Sequence, residues 1–230
     1  MGNGRRYTVF LGFWKNLPVR LKRLFHHFLP GSFQDSDINK NRTWWLWPIE
    51  LIILIFDIMG MPDFIMQARL IIRPGIRSLN DRERQLIIDF YGDLSFLDKI
   101  WLNSYDMFHF RRFAHAFVFH DSINYHNSIT DSVLIHEIMH VIQYHLAGSV
   151  YITRALRAQR SDEGYQYGGP EVLYHNMLSG KSIWNYNYEQ QAQIMQDLYD
   201  MKSRMIPATD LRITGYQMLL NELKEEVLNI

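Results

Sequence analysis

The sequence predicts an α+β fold that is mainly helical, with a small sheet beside one central helix. Three observations favour this class. Hydrophobic residues make up 47% of the 230 residues, enough for one sizeable core. From residue 77 onward, most apolar stretches have helical spacing and lie between helix-capping signals. A short run of β-favouring residues, 117–120, indicates at least one strand.

The first 43 residues differ in charge from the rest of the chain. They hold eight Lys/Arg against two Asp/Glu, a net charge of +6, whereas the whole chain is neutral and residues 44–230 therefore carry −6. Residues 1–43 are predicted to be a basic N-terminal arm that meets an anionic membrane surface or a secretion-machine partner. No specific nucleic-acid partner is expected.

Within this arm, residues 19–29 mix apolar and basic side chains before Pro30 and Gly31. The pattern predicts a short basic amphipathic helix, which either docks on a membrane surface or lies solvated against the domain. No apolar stretch leads to a signal-peptidase site, so no secretory signal is evident. The localisation stays open between the cytoplasm, the membrane periphery and export by a non-classical system.

Residues 44–76 are predicted to form an apolar helical segment. Pro48 fits a first helical turn and Gly60 fits a helix end, leaving about a dozen residues, or roughly 18 Å, against roughly 30 Å of bilayer hydrocarbon. Glu50 and Asp57 fall on the same helix face, where two acids oppose membrane insertion. A transmembrane span, and with it a membrane-embedded protease, is therefore disfavoured. We expect this segment to pack on the domain or, as the weaker alternative, to lie in a membrane interface.

Residues 77–230 are predicted to form the main domain. Asn80 and Glu83 make a capping-box pattern at the start of a helix that Gly92 ends. Asp121 and Ser122 favour a turn after the predicted strand. Ser128 or Thr130 can cap the next helix, which ends at Gly148, and further helices are expected near 151–159, 188–204 and 211–228.

The helix that begins near residue 131 contains an HExxH motif at His136, Glu137 and His140. Residues four apart lie on one helix face, so both imidazoles can bind one ion, and neutral imidazole binds zinc at about 2.0–2.1 Å. The chain has no cysteine, so thiolate ligands are excluded. We therefore predict Zn²⁺ as cofactor and Glu137 as the general base that activates a zinc-bound water to hydrolyse a peptide bond. The alternative is a pair of structural histidines in the core.

A catalytic zinc needs a third protein ligand, and Glu189 is the predicted one because it begins a later helix. Glu163 and Glu171 are rivals, but they lie in a glycine-rich stretch that mounts a ligand less rigidly. Four further histidines lack diagnostic spacing and are each expected to be structural or exposed: His120, His126, His145 and His175.

The chain resembles the gluzincin branch of zinc metallopeptidases, in which HExxH is followed by a glutamate ligand on a later helix. More narrowly, it is similar to the small zincin-like domains associated with extracellular contractile injection systems and with Vgr- or Rhs-related secretion proteins. The similar stretches are SLNDRERQLIIDFYGDLSFLDKIWL, FVFHDSINY, LIHEIMHVIQY, ALRAQ followed by YQY, and NYEQQAQIMQDLY. The resemblance covers about residues 77–200 and implies a zincin-like metallopeptidase domain with a peptide or protein substrate.

Carried over by position, the resemblance implies His136, His140 and Glu189 as ligands, Glu137 as base, and Ala192 as the small residue of the ExxA pattern. One departure is clear. Many gluzincins have an Asp four residues after the ligand Glu, where it orients the first ligand His, and this chain has Gln193 there. A second interpretation is therefore a non-catalytic zincin-fold scaffold or secretion-associated adaptor with structural or vestigial zinc. Candidate oxyanion stabilisers are Tyr165, Tyr167 and His175.

Overall fold

The computed structural model of the chain describes residues 8–29, 46–72, 75–104, 116–207 and 210–227. It is mainly helical with one small mixed sheet, so the predicted α+β class is confirmed. The helices are α1 (Thr8–Phe28), α2 (Leu46–Ile58), α3 (Met61–Ile72), α4 (Asp81–Tyr91), α5 (Asp131–Ala147), α6 (Val150–Arg160), α7 (Gly169–Leu178), α8 (Tyr188–Ser203) and α9 (Leu211–Val227). The strands are β1 (Ile76–Ser78), β2 (Trp101–Asn103), β3 (Ala116–Phe119) and β4 (Ser122–Tyr125).

The sheet has the strand order β1-β2-β4-β3, with β2 parallel to β4 and the other pairs antiparallel. The predicted strand at 117–120 is observed one residue earlier, as β3. The predicted turn is only partly right, because Ser122 begins β4 and pairs with Phe119. His120, with a φ of 55°, occupies the tight turn together with Asp121. Strand pairing therefore extends closer to the turn than the turn-forming residues indicated.

Helix α5 lies at the centre of the fold. The Thr130 hydroxyl caps its first turn by accepting from the amide of Val133, and Gly148 ends it with a φ of 74°. The residues from Leu134 to Tyr144 are all buried, and their apolar members join α4, α8, α9 and the sheet in one core. Of the two predicted caps, Thr130 is the one used. A helix enclosed on all sides is a rigid mount for the motif it carries.

Helix α2 packs on this body through its acidic residues. Glu50 accepts two hydrogen bonds from Arg154 of α6, at 3.0 and 3.1 Å, and both side chains are buried. Asp57 accepts from the backbone amide of Ser149, at 2.8 Å, where α6 begins. These contacts hold one side of α2 against α6 and its start. Within the part of the chain that the structure describes, no helix is long and apolar enough to cross a membrane.

Helix α1 is longer than the predicted amphipathic segment and packs on α2 and α3. Arg20 pairs with Asp63 of α3 at 2.5 Å, and Arg23 donates to the backbone carbonyls of His145 and Leu146 at the end of α5. The two arginines were expected to face an anionic surface. Instead, their side chains bond to other parts of the same chain. A guanidinium at a helix C-terminus satisfies carbonyls that lack helical partners.

The segment predicted to be helical, 44–76, contains two helices, because a turn at Gly60 separates α2 from α3. Helix α7 was not predicted. It begins inside the glycine-rich stretch, with Gly168 in a left-handed conformation. Pro170 in the first turn of α7 is compatible with a helix start because its missing N–H needs no helical partner there. The glycine-rich stretch is thus shorter than expected, and Glu171 lies on a helix.

Candidate metal centre

Helices α5 and α8 pack against each other and bring the three predicted ligands together. Nε2 of His136 lies 3.6 Å from Oε2 of Glu189, and Nε2 of His140 lies 3.5 Å from the same oxygen. All three side chains are buried, and their ligand atoms lie within 4.8 Å of one another. In the described part of the chain, this is the one group of His, Asp or Glu side chains with such spacing.

The donor set and its spacing fit zinc. Two imidazole nitrogens and one carboxylate oxygen are the three-ligand set typical of catalytic zinc sites. With bonds of about 2.0–2.1 Å, tetrahedral ligand atoms lie roughly 3.3–3.4 Å apart. The observed 3.5 and 3.6 Å between each imidazole and Glu189 are close to this separation. Three protein ligands leave a fourth position for water or substrate.

His140 is held by an amide network that the sequence analysis did not find. Its Nδ1 lies 2.7 Å from Oε1 of Gln143, an acceptor, so Nδ1 carries a proton that it donates to Gln143. Loss of the second proton, on Nε2, then leaves at Nε2 the lone pair that a metal needs. Gln143 in turn donates to the carbonyl of Tyr188 and to Gln191, both at 2.9 Å. The network ties α5 to the first turn of α8. It fixes the tautomer that a metal ligand requires.

The imidazole of His140 and the carboxylate of Glu189 shift each other's pKa in opposite directions. Burial alone would lower the pKa of His140, but the Glu189 carboxylate outweighs burial and raises this pKa to about 9. Burial acts to raise the pKa of Glu189, whereas His140 and His136 together hold it well below its usual range. His140 is therefore protonated at neutral pH and pairs with the Glu189 carboxylate. A metal must displace that proton, so its affinity is expected to fall as the pH falls.

Glu137 is buried beside the three ligands. Burial raises the pKa of its carboxyl group, and the neighbouring His136 and His140 offset this only in part. Its Oε2 is buried without a hydrogen-bond partner among the described residues. A buried carboxylate without a partner is costly, and such groups are found where a proton is transferred. Its position suits it to exchange a proton with a molecule that enters the centre.

His136 differs from His140 in the hydrogen bonding of its Nδ1. Its Nδ1 is buried and has no hydrogen-bond partner among the described residues. Gln193, which could have accepted from it, instead donates to Asp197 at 2.8 Å. The departure at position 193 therefore has a structural counterpart: within the described ranges, no residue orients the Nδ1 of His136 as Gln143 orients that of His140.

The three candidate oxyanion stabilisers differ in position. The ring of Tyr165 lies 6.1 Å from that of His136, and burial together with the Glu189 carboxylate raises the pKa of Tyr165 to about 12. Tyr165 therefore keeps its proton at neutral pH and can donate it in a hydrogen bond. Tyr167 is hydrogen-bonded to Asp197 and Tyr216, and His175 is exposed on α7. Tyr165 is the candidate that the structure brings to the centre.

The rival ligands lie elsewhere. Glu163 and Glu171 are exposed, as is His126. His120 bonds Ser149 at 3.0 Å, and His145 bonds Asp121 at 2.6 Å and stacks on Phe96. These two histidines have structural roles, as expected.

Comparisons with protein-family models, curated proteins and solved structures found no match for this chain.

Proposed function

We propose that this chain is a zinc-dependent metallopeptidase with a zincin-like fold, in which His136, His140 and Glu189 hold the metal. The observation that carries the proposal is the convergence of these three buried side chains from two helices, with their donor atoms within 4.8 Å. Burying two histidines and two glutamates in one place is costly unless a cation or a reaction needs them.

The reaction that these residues support is hydrolysis of a peptide bond. Zinc, when bound, supplies a Lewis acid that polarises the carbonyl and lowers the pKa of water. Glu137 takes a proton from the attacking water and passes it to the amide nitrogen, so that a C–O bond forms and the C–N bond breaks. Tyr165, whose ring lies 6.1 Å from that of His136, would donate a hydrogen bond to the carbonyl oxygen as negative charge develops on it. Gln143 keeps His140 oriented.

A second candidate is a zincin-fold scaffold or secretion-associated adaptor that binds zinc but does not cleave peptides. The observation that favours it is His136, whose Nδ1 has no described partner while Gln193 bonds Asp197. A ligand that is not oriented from behind binds metal less well and supports catalysis less well.

Metal removal separates the two candidates. The purified chain is stripped with a chelator, reloaded with zinc, and incubated with a library of unstructured peptides, and the products are read by mass spectrometry. A metallopeptidase is expected to produce new peptide termini only in the zinc-loaded sample. A chain that takes up zinc stoichiometrically and still cleaves no peptide would support the scaffold and contradict the peptidase.

A further inference from the structure

The outer side of α1–α3 is apolar to an unusual degree. We define the apolar face by six side chains that are each 53–73% exposed: Trp14, Phe25, Ile52, Met59, Phe64 and Ile71. Among the side chains that the structure describes in these three helices, Lys22 is the one exposed residue with a charge. Large exposed apolar patches on proteins mark surfaces that meet a partner or a membrane.

The polarity of these helices is reversed relative to an ordinary surface helix. Arg20, Glu50 and Asp57 are buried, and they bond within the helical layer or to the body of the protein. Surface helices usually place charged residues outward and apolar residues inward. Here the charges attach the layer to the rest of the chain, and the apolar side chains are left facing outward.

The net charge of residues 1–43, which include α1, indicates what covers the apolar face. Of the eight Lys/Arg in residues 1–43, Arg20 and Arg23 are used inside, which leaves six against Asp35 and Asp37, a net charge of +4 in the sequence. A second copy of this chain would bring the same positive charge to the contact and be repelled. Anionic lipid head groups would attract it. Trp14 adds an aromatic side chain of the type enriched at membrane interfaces.

The dimensions of the layer favour binding along the surface. Helices α2 and α3 have 13 and 12 residues, which makes them about 18–20 Å long, shorter than the roughly 30 Å hydrocarbon core of a bilayer. Helix α1 is longer, with 21 residues, but no helix in the described part of the chain is both long and apolar enough to cross a membrane. We propose that α1–α3 dock the protein on an anionic membrane, with the apolar face at the boundary between head groups and acyl chains, and that the phosphates attract the net positive charge of residues 1–43. This inference does not depend on the proposed peptidase activity.

Vesicle binding by the full chain tests this inference. Wild type is expected to sediment with phosphatidylcholine vesicles that contain phosphatidylserine, and less with phosphatidylcholine alone. Combining Ile52→Glu with Phe64→Glu is expected to lower the partition coefficient about 10²-fold, because two large apolar side chains no longer enter the interface. The matched control is Leu178→Glu with Leu211→Glu, which adds the same charge at side chains 64% and 63% exposed on α7 and α9. The control should lose much less binding.

Two results would overturn the inference. One is equal vesicle binding by the face variant and wild type. The other is a wild type that is dimeric in vesicle-free buffer and binds no vesicles, together with a face variant that is monomeric. A second copy of the chain would then be what covers the apolar face. Should the face variant unfold by circular dichroism, wild type alone decides: brominated lipids are expected to quench its tryptophan fluorescence, and no quenching contradicts docking.

Discussion

Glu137→Gln is expected to lower the rate of peptide hydrolysis by about 10²–10⁴-fold while leaving zinc content unchanged. Glutamine has nearly the shape of glutamate and cannot take a proton from water. Because Glu137 is not one of the three residues whose ligand atoms converge, the substitution leaves the metal ligands in place. The measurement is kcat/KM on a peptide found to be cleaved, with zinc determined on the same sample.

Glu163→Gln is the matched control for this variant, since it makes the same chemical change at an exposed carboxylate in the same chain. The control is expected to hydrolyse the peptide like wild type. A Glu137→Gln protein that keeps wild-type kcat/KM would show that another group moves the proton.

Glu50→Leu is expected to destabilise the protein by about 3–5 kcal/mol, because it removes a buried carboxylate that accepts two hydrogen bonds from the buried guanidinium of Arg154. The free energy of unfolding is measured by urea titration of the zinc-free protein. Combining Glu50→Leu with Arg154→Met removes both charges and is expected to recover most of the loss. A double variant as unstable as Glu50→Leu would show that the packing of α2, not the ion pair, causes the effect.

The exposed pair of Arg84 and Asp98 provides the comparison for this experiment. The Asp98 side chain is 71% exposed, whereas Glu50 and Arg154 are both buried. Asp98→Asn is expected to cost at most about 1 kcal/mol, because solvent screens the pair. A cost for Asp98→Asn comparable to that of Glu50→Leu would contradict the argument from burial.

The features that the sequence predicted well are those with local causes. Asn80 and Glu83 form the expected capping box, and Thr130 caps α5, because a side chain and a backbone amide three residues away meet in any helix start. The convergence of His136 and His140 follows from helical spacing alone. The nearness of Glu189 was inferred from its helix and from the resemblance, and it required the packing of α8 on α5.

The features that sequence analysis missed depend on tertiary contacts. Strands β1 and β2 have three residues each, too few to show alternation, and they exist because they pair. Arg23 donates to a carbonyl at the end of α5, more than a hundred residues away in the sequence, so no local pattern indicated this bond. Gln143 had one usable signal, its position three residues after His140, but its bond to Gln191 joins two helices and left no local pattern.

Zinc content of wild type beside His140→Ala and Glu189→Ala tests the central proposition most directly. After purification without chelator, wild type is expected to hold about one zinc per chain, and each variant to lose most of it because two ligands bind zinc weakly. Glu171→Ala, at an exposed acid, should keep the metal. Wild type without stoichiometric zinc, or variants that keep it in full, would contradict a metal centre built from these residues.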